Sequence, residues 1–589
     1  MKRVFYLVVV LFMALTVNAS DFKFDWAHIY DAKTTAGDSP IAMSKATDGN
    51  YFSLMSWGST DAAGLNLYFD GNAVADASGK AIEGSHAGSS YNNNMCLQKL
   101  DAKTGSPLWT VYSNNGYLSQ SYCDVESTSD GGAVVFLMVR SWDNHLDTIV
   151  NVVDAAGAET NVTWEHNGHN IYFPIAMKVD ADGNVKWMKQ LFSFKYCEDL
   201  KYWPNDLFYS NDMAVDKDDN IYLCGSFRST INFKKANGEE EHITAKNVVD
   251  WDGDVQDTNG DLFLAKFDKD GNYLQNLTAE GTAIAANIAK MDIHDATLYA
   301  YGRIMGDGTE MSLGGKPFTA AAKQSMLLTS ININDLSVNY ARMFNASADG
   351  KGVHLKGMQW LNGSLYLTGS IQNGTYTDGD NIILTNTKKA YVGCVVKCAP
   401  STGDVIASGS YDASTSEFFG VAETKETLAN NEEVDSVLAY GYKGGYFMVS
   451  FSQEGTSLIK HGEKTLVDFG RAGASARLLI DGTSVVLLNR GSGNGASGEP
   501  ATFYGTDFTL NNLAAWSVIV SKFTNNNIYT APSIPTGINN VNADSNKAHN
   551  YDVYTFNGCL VKKANSMSDA VNGLNKGFYI IGNKKVIIK

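Results

Sequence analysis

The densest set of oxygen ligands in this chain is Asp250–Asp261 (DWDGDVQDTNGD). Asp250, Asp252 and Asp254 stand at loop positions one, three and five, and Asp261 stands at twelve. Calcium takes carboxylates at this kind of spacing. Yet Val255 occupies the place where an EF-hand loop needs glycine, and Asp261 replaces its bidentate Glu. No helical pattern flanks the stretch. A solvated acidic loop is the preferred reading. Calcium at Asp250, Asp252, Asp254 and Asp261 is the one metal assignment the sequence offers.

Other chemistry is sparse. His166 and His169 lie in WEHNGHN, with Glu165 as the sole nearby third ligand. Cys394 and Cys398 are four apart on a strand-like run, about 13 Å between Cα atoms and too far to bridge. No H-E-x-x-H, G-x-x-x-x-G-K-[ST] or G-x-S-x-G motif occurs. Glycosidases need two convergent carboxylates. Here the carboxylates concentrate in turns, while stretches such as Ala42–Thr47 and Met213–Val215 are apolar or small. The pattern thus argues against catalysis, and a polymer-degrading enzyme stays as the alternative.

The elements that must carry these residues repeat. Met213–Phe227 with Asp261–Leu277, and Met358–Ile371 with Tyr391–Ser410, show one unit. It comprises a short strand, a Gly/Asn/Asp turn, a strand ending in Gly-Ser, a variable insertion and a hairpin around D-x-x-G. Four strands per unit predict an all-β fold: a single β-propeller of seven four-stranded blades. The outlines are 41–113, 120–191, 210–277, 288–344, 353–410, 418–462 and 475–523. The last outline lacks an outer strand, and Asp25–Tyr30 supplies a matching one, so it should pair with Trp516–Phe523. The aspartates of DADGN, DKDDN and DKDGN read as turn formers.

Residues 524–541 read as a Pro/Asn linker. Residues 542–589 read as a small sandwich-like β module with hairpins at Asn557-Gly558 and Gly582-Asn583. Residues 1–19 read as a secretory signal: Lys2 and Arg3, an apolar run, then Val17-Asn18-Ala19. No other run is long and apolar enough to span a bilayer, so no transmembrane anchor is expected. Net charge is −17. An acidic surface repels phosphate backbones, which excludes nucleic acid as the expected partner. The chain is expected to be monomeric.

Two stretches carry family resemblances. Asp216–Asn272, with its DNIYLCGSF and DLFLAKFDKDGN, resembles the SBBP β-propeller repeats of secreted bacterial proteins. That resemblance implies a structural repeat without shared catalytic residues. Val553–Val561 (VYTFNGCLV), Leu574–Ile581 and the final Lys584–Lys589 resemble the C-terminal sorting domains of the Bacteroidota type IX secretion system. This implies export to the outer-membrane surface or medium, with the secretion machinery as a partner. The expected function is non-enzymatic binding of protein or glycan. Leu65–Tyr91, Lys234–Gly260 and Thr375–Lys389 would build the binding face, and Tyr68, Trp142, Trp164 and Trp251 are its candidate aromatic contacts.

Overall fold

Short alternating runs become antiparallel strands in the computed structural model of the chain. It describes residues 22–528 except 32–37, 59–64, 85–93, 114–117, 119–122, 141–148, 164–171, 196–207, 228–229, 246–259, 282–284, 307, 309, 322–323, 348–351, 412–414, 429–431, 444, 469–470, 493–499 and 511–516. Beyond these it describes 553–555, 560–564, 570–574, 577–581 and 584–588. The chain divides into two compact units, one ending at Ala531 and one starting at Pro532.

The first unit is a series of four-stranded meanders. They run Ser39–Lys45, Tyr51–Trp57, Asn94–Leu100, Pro107–Ser113; Asp124–Ser127, Ala133–Arg140, Tyr172–Val179, Val185–Gln190; Phe208–Val215, Ile221–Phe227, Asp261–Phe267, Tyr273–Glu280; and Ala285–His294, Thr297–Met305, Ser325–Asn332, Val338–Ala346. Then follow Gly352–Leu361, Ser364–Gln372, Val392–Cys398, Val405–Ser410; Glu417–Thr427, Glu433–Tyr442, Tyr446–Glu454, Ser457–Asp468; and Arg471–Asp481, Ser484–Ser492, Ser517–Thr524. The fourth strand of the last meander is Lys23–Asp31, antiparallel to Ser517–Thr524, with Tyr30 opposite Val518 and Phe24 opposite Phe523. Each first strand packs against the first strand of the next meander, and Arg471–Asp481 packs back onto Ser39–Lys45. The cycle is closed and its sheets have the arrangement of a β-propeller.

Turn chemistry explains the aspartates. Asp216 Oδ1 accepts the N–H of Asp218 and Asn220, and Asp268 Oδ1 those of Asp270 and Asn272. Asp180 does the same for Asp182 and Asn184. A side chain that satisfies its own turn's backbone favours that turn. Where other turns use glycine, Asp219 holds φ 63°. Its carboxylate accepts both the N–H and the hydroxyl of Ser129, at 2.7 Å each.

The glycines toward the ends of second strands, Gly369 before Ser370 and Gly302 before Arg303, have a steric cause. A Cβ on Gly369 would stand 1.9 Å from the His354 carbonyl oxygen, and one on Gly302 2.3 Å from that of Asn287. Both carbonyls lie beside a bulge in the facing first strand. The bulge presses the two backbones together, so only glycine fits.

Third-strand lysines join successive meanders. Lys99 Nζ donates to the carbonyls of Gly131 and Ala181, and Lys266 Nζ to Ile333 at 2.6 Å. Their ammonium groups lie over aromatic rings, Lys99 Nζ 5.6 Å from the Phe52 centroid and Lys266 Nζ 5.5 Å from that of Tyr222. Two of these carbonyls accept a second side-chain donor as well, Ala181 from the Trp109 indole and Ile333 from the Tyr222 hydroxyl.

The insertions depart from expectation. Residues Tyr68–Phe69 with Asn72–Ala73 form a hairpin on the outer strand Lys23–Asp31. Thr230–Lys234 with Glu240–Thr244 pairs with Phe192–Lys195, and Gly374–Asp378 with Asn381–Asn386 pairs with Val338–Ala346. Each hairpin leaves its own meander and extends the outer edge of the preceding one. Much of Leu65–Tyr91, Lys234–Gly260 and Thr375–Lys389 is thus edge cover, not free loop. An uncovered edge invites pairing with other chains, which is the physical reason to cover it.

Among the described residues the second unit holds one four-stranded sheet, ordered Leu560–Lys562, Val553–Thr555, Gly577–Ile581, Lys584–Ile588. The strands on either side of both expected turns pair antiparallel, and the turn residues themselves lie outside the described residues. Val553, Ala564, Ala570 and Ile581 form its small core.

Candidate functional site

The first strands line the middle of the cycle, and they carry charge. Their side chains fall into two layers, because residues two apart on a strand share a face. One layer holds Ala42, Asp124, Asp212, Lys290 and Arg477. The next holds Ser44, Glu126, Asp292 and Gln359. Their register positions opposite the second strands set these layers. Carboxylates therefore do converge on the inner strands. The expectation of apolar inner strands fails at Asp124, Glu126, Asp212 and Asp292.

Most of these groups are bonded to the next meander's backbone. Ser44 Oγ accepts from Ser127 N at 3.1 Å, Asp124 from Met213 N at 3.0 Å and Asp212 from Met291 N at 2.7 Å. Asp292 accepts from Trp360 N and Gln359 from Val421 N, both at 2.6 Å. Asp212 also pairs with Lys290 at 2.5 Å. An inner strand has no further strand on its channel side, so its outward N–H groups need other acceptors. These side chains supply them.

Glu126 is different. Its described partner is the Ser44 hydroxyl, at 3.0 Å. Burial, and then the neighbouring Asp124, push its carboxyl well above the usual range, with Asp212 and Asp292 adding to this. Burial and Asp212 push Asp124 up to about 6 against the pull of Lys290 and Arg477. Burial raises Asp292 to about 6 as well. Like charges in a poorly hydrated ring cannot all ionise together. Asp124, Glu126 and Asp292 therefore bind protons more tightly in the folded chain than free carboxyls do.

Of the sequence-derived calcium set, Asp261 is the member within the described residues. Asp250, Asp252 and Asp254 lie outside the described residues. Asp261 is buried, and opens a third strand opposite Phe227. Among the described residues, no group of three or more His, Cys, Asp or Glu stands close enough to hold a metal ion. His166, His169, Trp142, Trp164 and Trp251 also lie outside. Tyr68 is half-buried in its hairpin. Cys394 and Cys398 are buried and unbridged, and burial pushes the Cys394 thiol up to about 12. That makes it a poor nucleophile.

One cluster has the residue types of a hydrolase without the geometry. His461 Nε2 lies 2.9 Å from Ser436 Oγ and 3.3 Å from Glu426 Oε2. Serine and acid thus share one ring nitrogen. A relay needs the acid on the other.

No family model and no curated protein matches the chain. Among solved structures, a quinohemoprotein alcohol dehydrogenase from Pseudomonas putida is 11% identical over 87% of this chain and 78% of its own, with TM-score 0.35. A phage phi92 endosialidase is 9% identical over 92% and 75%, with TM-score 0.29. Drosophila Semaphorin 1a is 8% identical over 54% and 81%, with TM-score 0.26. The fold and the site stand on strand pairing and side-chain geometry alone. Among the described residues no helix is long and apolar enough to cross a membrane.

Proposed function

We propose that the chain is a secreted or cell-surface, seven-bladed β-propeller that binds a protein or glycan without chemically changing it. The observation that carries this reading is the difference between its two ends. Connections in an antiparallel meander alternate ends. At one end lie tight turns such as 46–50, 128–132 and 362–363. At the other end the second and third strands are joined by many more residues, as between Trp57 and Asn94, Arg140 and Tyr172, Phe227 and Asp261, and Ser492 and Ser517. Variable segments on a rigid scaffold are where recognition surfaces arise. The inner-strand carboxylates support the same reading, since backbone N–H groups occupy most of them.

The deciding measurement sets the mature chain against glycan and extracellular-protein arrays. Variants with 141–148 or 246–259 replaced by short Gly/Asn turns should keep the fold and lose the bound ligand. Binding that survives both replacements would move the site elsewhere.

Glu126 favours one second reading. A carboxyl whose proton affinity is raised by burial and by neighbouring carboxylates is the kind of group a glycosidase acid uses. Under that reading polysaccharide hydrolysis would be measurable and would vanish in Glu126→Gln. Export through the type IX route, with the second unit as the sorting element, completes the proposal.

A further inference from the structure

His28 sits on the N-terminal strand Lys23–Asp31, and both of its ring nitrogens meet acceptors. Nδ1 lies 2.6 Å from Asp70 Oδ2, and Nε2 lies 2.6 Å from the carbonyl oxygen of Thr104. A carboxylate and a backbone carbonyl only accept. A neutral imidazole has a single N–H, so it serves one of them and turns a lone pair on the other. The imidazolium serves both. The geometry is that of a protonated ring.

The two acceptors come from different elements. Asp70 turns the hairpin of Tyr68–Phe69 and Asn72–Ala73, which covers the outer edge of Lys23–Asp31. Its N–H donates to the Ile29 carbonyl and its Oδ1 accepts the Ile29 N–H, both at 3.0 Å. Thr104 lies in the turn between the third and fourth strands of the first meander. Gly105 lets that turn come close, since a Cβ there would stand 2.6 Å from the rings of His28 and Trp26. His28 thus joins the closing strand, its edge cover and the first meander. Its ring packs against Trp26 and Phe69, centroids 5.6 and 4.8 Å away.

The other ionisable groups on these elements have their own roles. Asp101 Oδ1 accepts the N–H groups of Lys103 and Thr104, and Lys103 is exposed. Lys522, on the neighbouring strand, donates to the Ala102 carbonyl, and Asp25 accepts the Thr524 hydroxyl. Burial pushes the Tyr30 hydroxyl well above its ordinary value, so it stays neutral. Burial also opposes charge on His28. The Asp70 hydrogen bond, the Thr104 carbonyl and the Asp70 charge outweigh it, and the ring is held above its ordinary 6.5.

We propose that His28 is a pH-sensitive clasp on the closure of the cycle: its imidazolium fastens the closing strand to the edge hairpin and to the first meander, and loss of its proton loosens both. The neutral ring keeps one hydrogen bond and has no charge to attract Asp70. A histidine raised in the folded chain contributes stability that is complete below its ordinary value and is lost as pH rises past its folded one. At alkaline pH the hairpin opens more often, and the edge of Lys23–Asp31 is left free to pair with other chains.

The test is hydrogen exchange of the full chain, read by mass spectrometry on peptides from residues 65–84, at about pH 5.5 and about pH 9. Comparing parent and His28→Gln at the same pH cancels the intrinsic pH dependence of exchange. At the lower pH the variant should exchange about tenfold or more faster, the loss expected for a hydrogen bond to a charged group. At the higher pH the two should agree within about twofold. Asp70→Asn keeps an acceptor for Ile29 and removes the charge. It should behave in the same way, and it carries the comparison if His28→Gln does not fold. Exchange across Ser364–Gln372, in the fifth meander, should not change. An equal effect at both pH values would make His28 a structural contact without a switch. That result, no effect at the lower pH, or an equal rise across Ser364–Gln372 would overturn the proposal.

Discussion

Lys522 Nζ donates to the carbonyl oxygen of Ala102 at 2.8 Å, joining the last meander to the first. The same carbonyl also accepts the Trp26 indole N–H at 3.4 Å. Trp26 belongs to the N-terminal strand and Lys522 to the strand beside it, with Trp26 opposite Lys522 in register. The ends of the unit are therefore tied together and onto their neighbour. Deleting residues 20–32 should remove a complete strand and expose the edge of Ser517–Thr524. The melting temperature should fall sharply in differential scanning calorimetry. An unchanged value would mean that closure adds nothing.

The third-strand lysines give a finer test. Lys266 is buried, and its ammonium bonds the Ile333 carbonyl. Lys266→Met keeps the stem and loses the donor. The Tyr222 hydroxyl still donates to the same carbonyl at 3.1 Å, so stability in urea should drop by about 0.5–1.5 kcal/mol, the net contribution of one hydrogen bond. A loss within error would show that water replaces the ammonium.

Gly369 tests the bulge. A methyl group there would meet the His354 carbonyl oxygen at 1.9 Å. Gly369→Ala should cost about 1–3 kcal/mol in equilibrium unfolding, because backbone must move to admit it. Gly363→Ala is the control for conformational strain, since it holds φ 82° with nothing within 4 Å of the added atom.

The pH dependence follows from the inner-strand carboxyls. Asp124 and Asp292 sit at about 6 in the folded chain against a usual 3.8. Between those values the folded chain holds protons that the unfolded chain has released. Their contribution to stability is present below about pH 4 and is lost as pH rises through 6. Asparagine keeps the acceptors for Met213 and Trp360 but does not titrate. Relative to the parent, the Asp124→Asn, Asp292→Asn double variant should therefore gain stability from pH 4 to 7. A parent-minus-variant difference that is flat with pH would refute the raised values.

These carboxyls also mark where sequence reading stopped. Strands, D-x-x-G turns and the pairing of Asp25–Tyr30 were legible because period-two alternation and turn chemistry are local. Asp124, Asp212 and Asp292 are far apart in the chain and come together only when the cycle closes. Asp212 lies one residue outside the apolar run Met213–Val215, so its channel layer went unseen. The edge hairpins were missed for a related reason. Nothing in Thr230–Thr244 says that it pairs with Phe192–Lys195 instead of its own meander. The pairing of Glu417 with His354 and Lys356 likewise joins two meanders, and no local spacing announces it.

Export is the last expectation with a direct measurement. The second unit has its own sheet and core, and the cycle closes without it. Removing Tyr551–Lys589 should therefore leave the melting temperature of the first unit unchanged. In a host with a type IX secretion system, the full chain should reach the surface or medium, while the truncated chain should stay in the periplasm. Fractionation with immunoblotting reads this directly, and the calorimetric comparison separates failed export from failed folding. Equal export of both chains would leave the terminal sheet an accessory module. It would also remove the support that the GFYII and KKVIIK strands give to a cell-surface location.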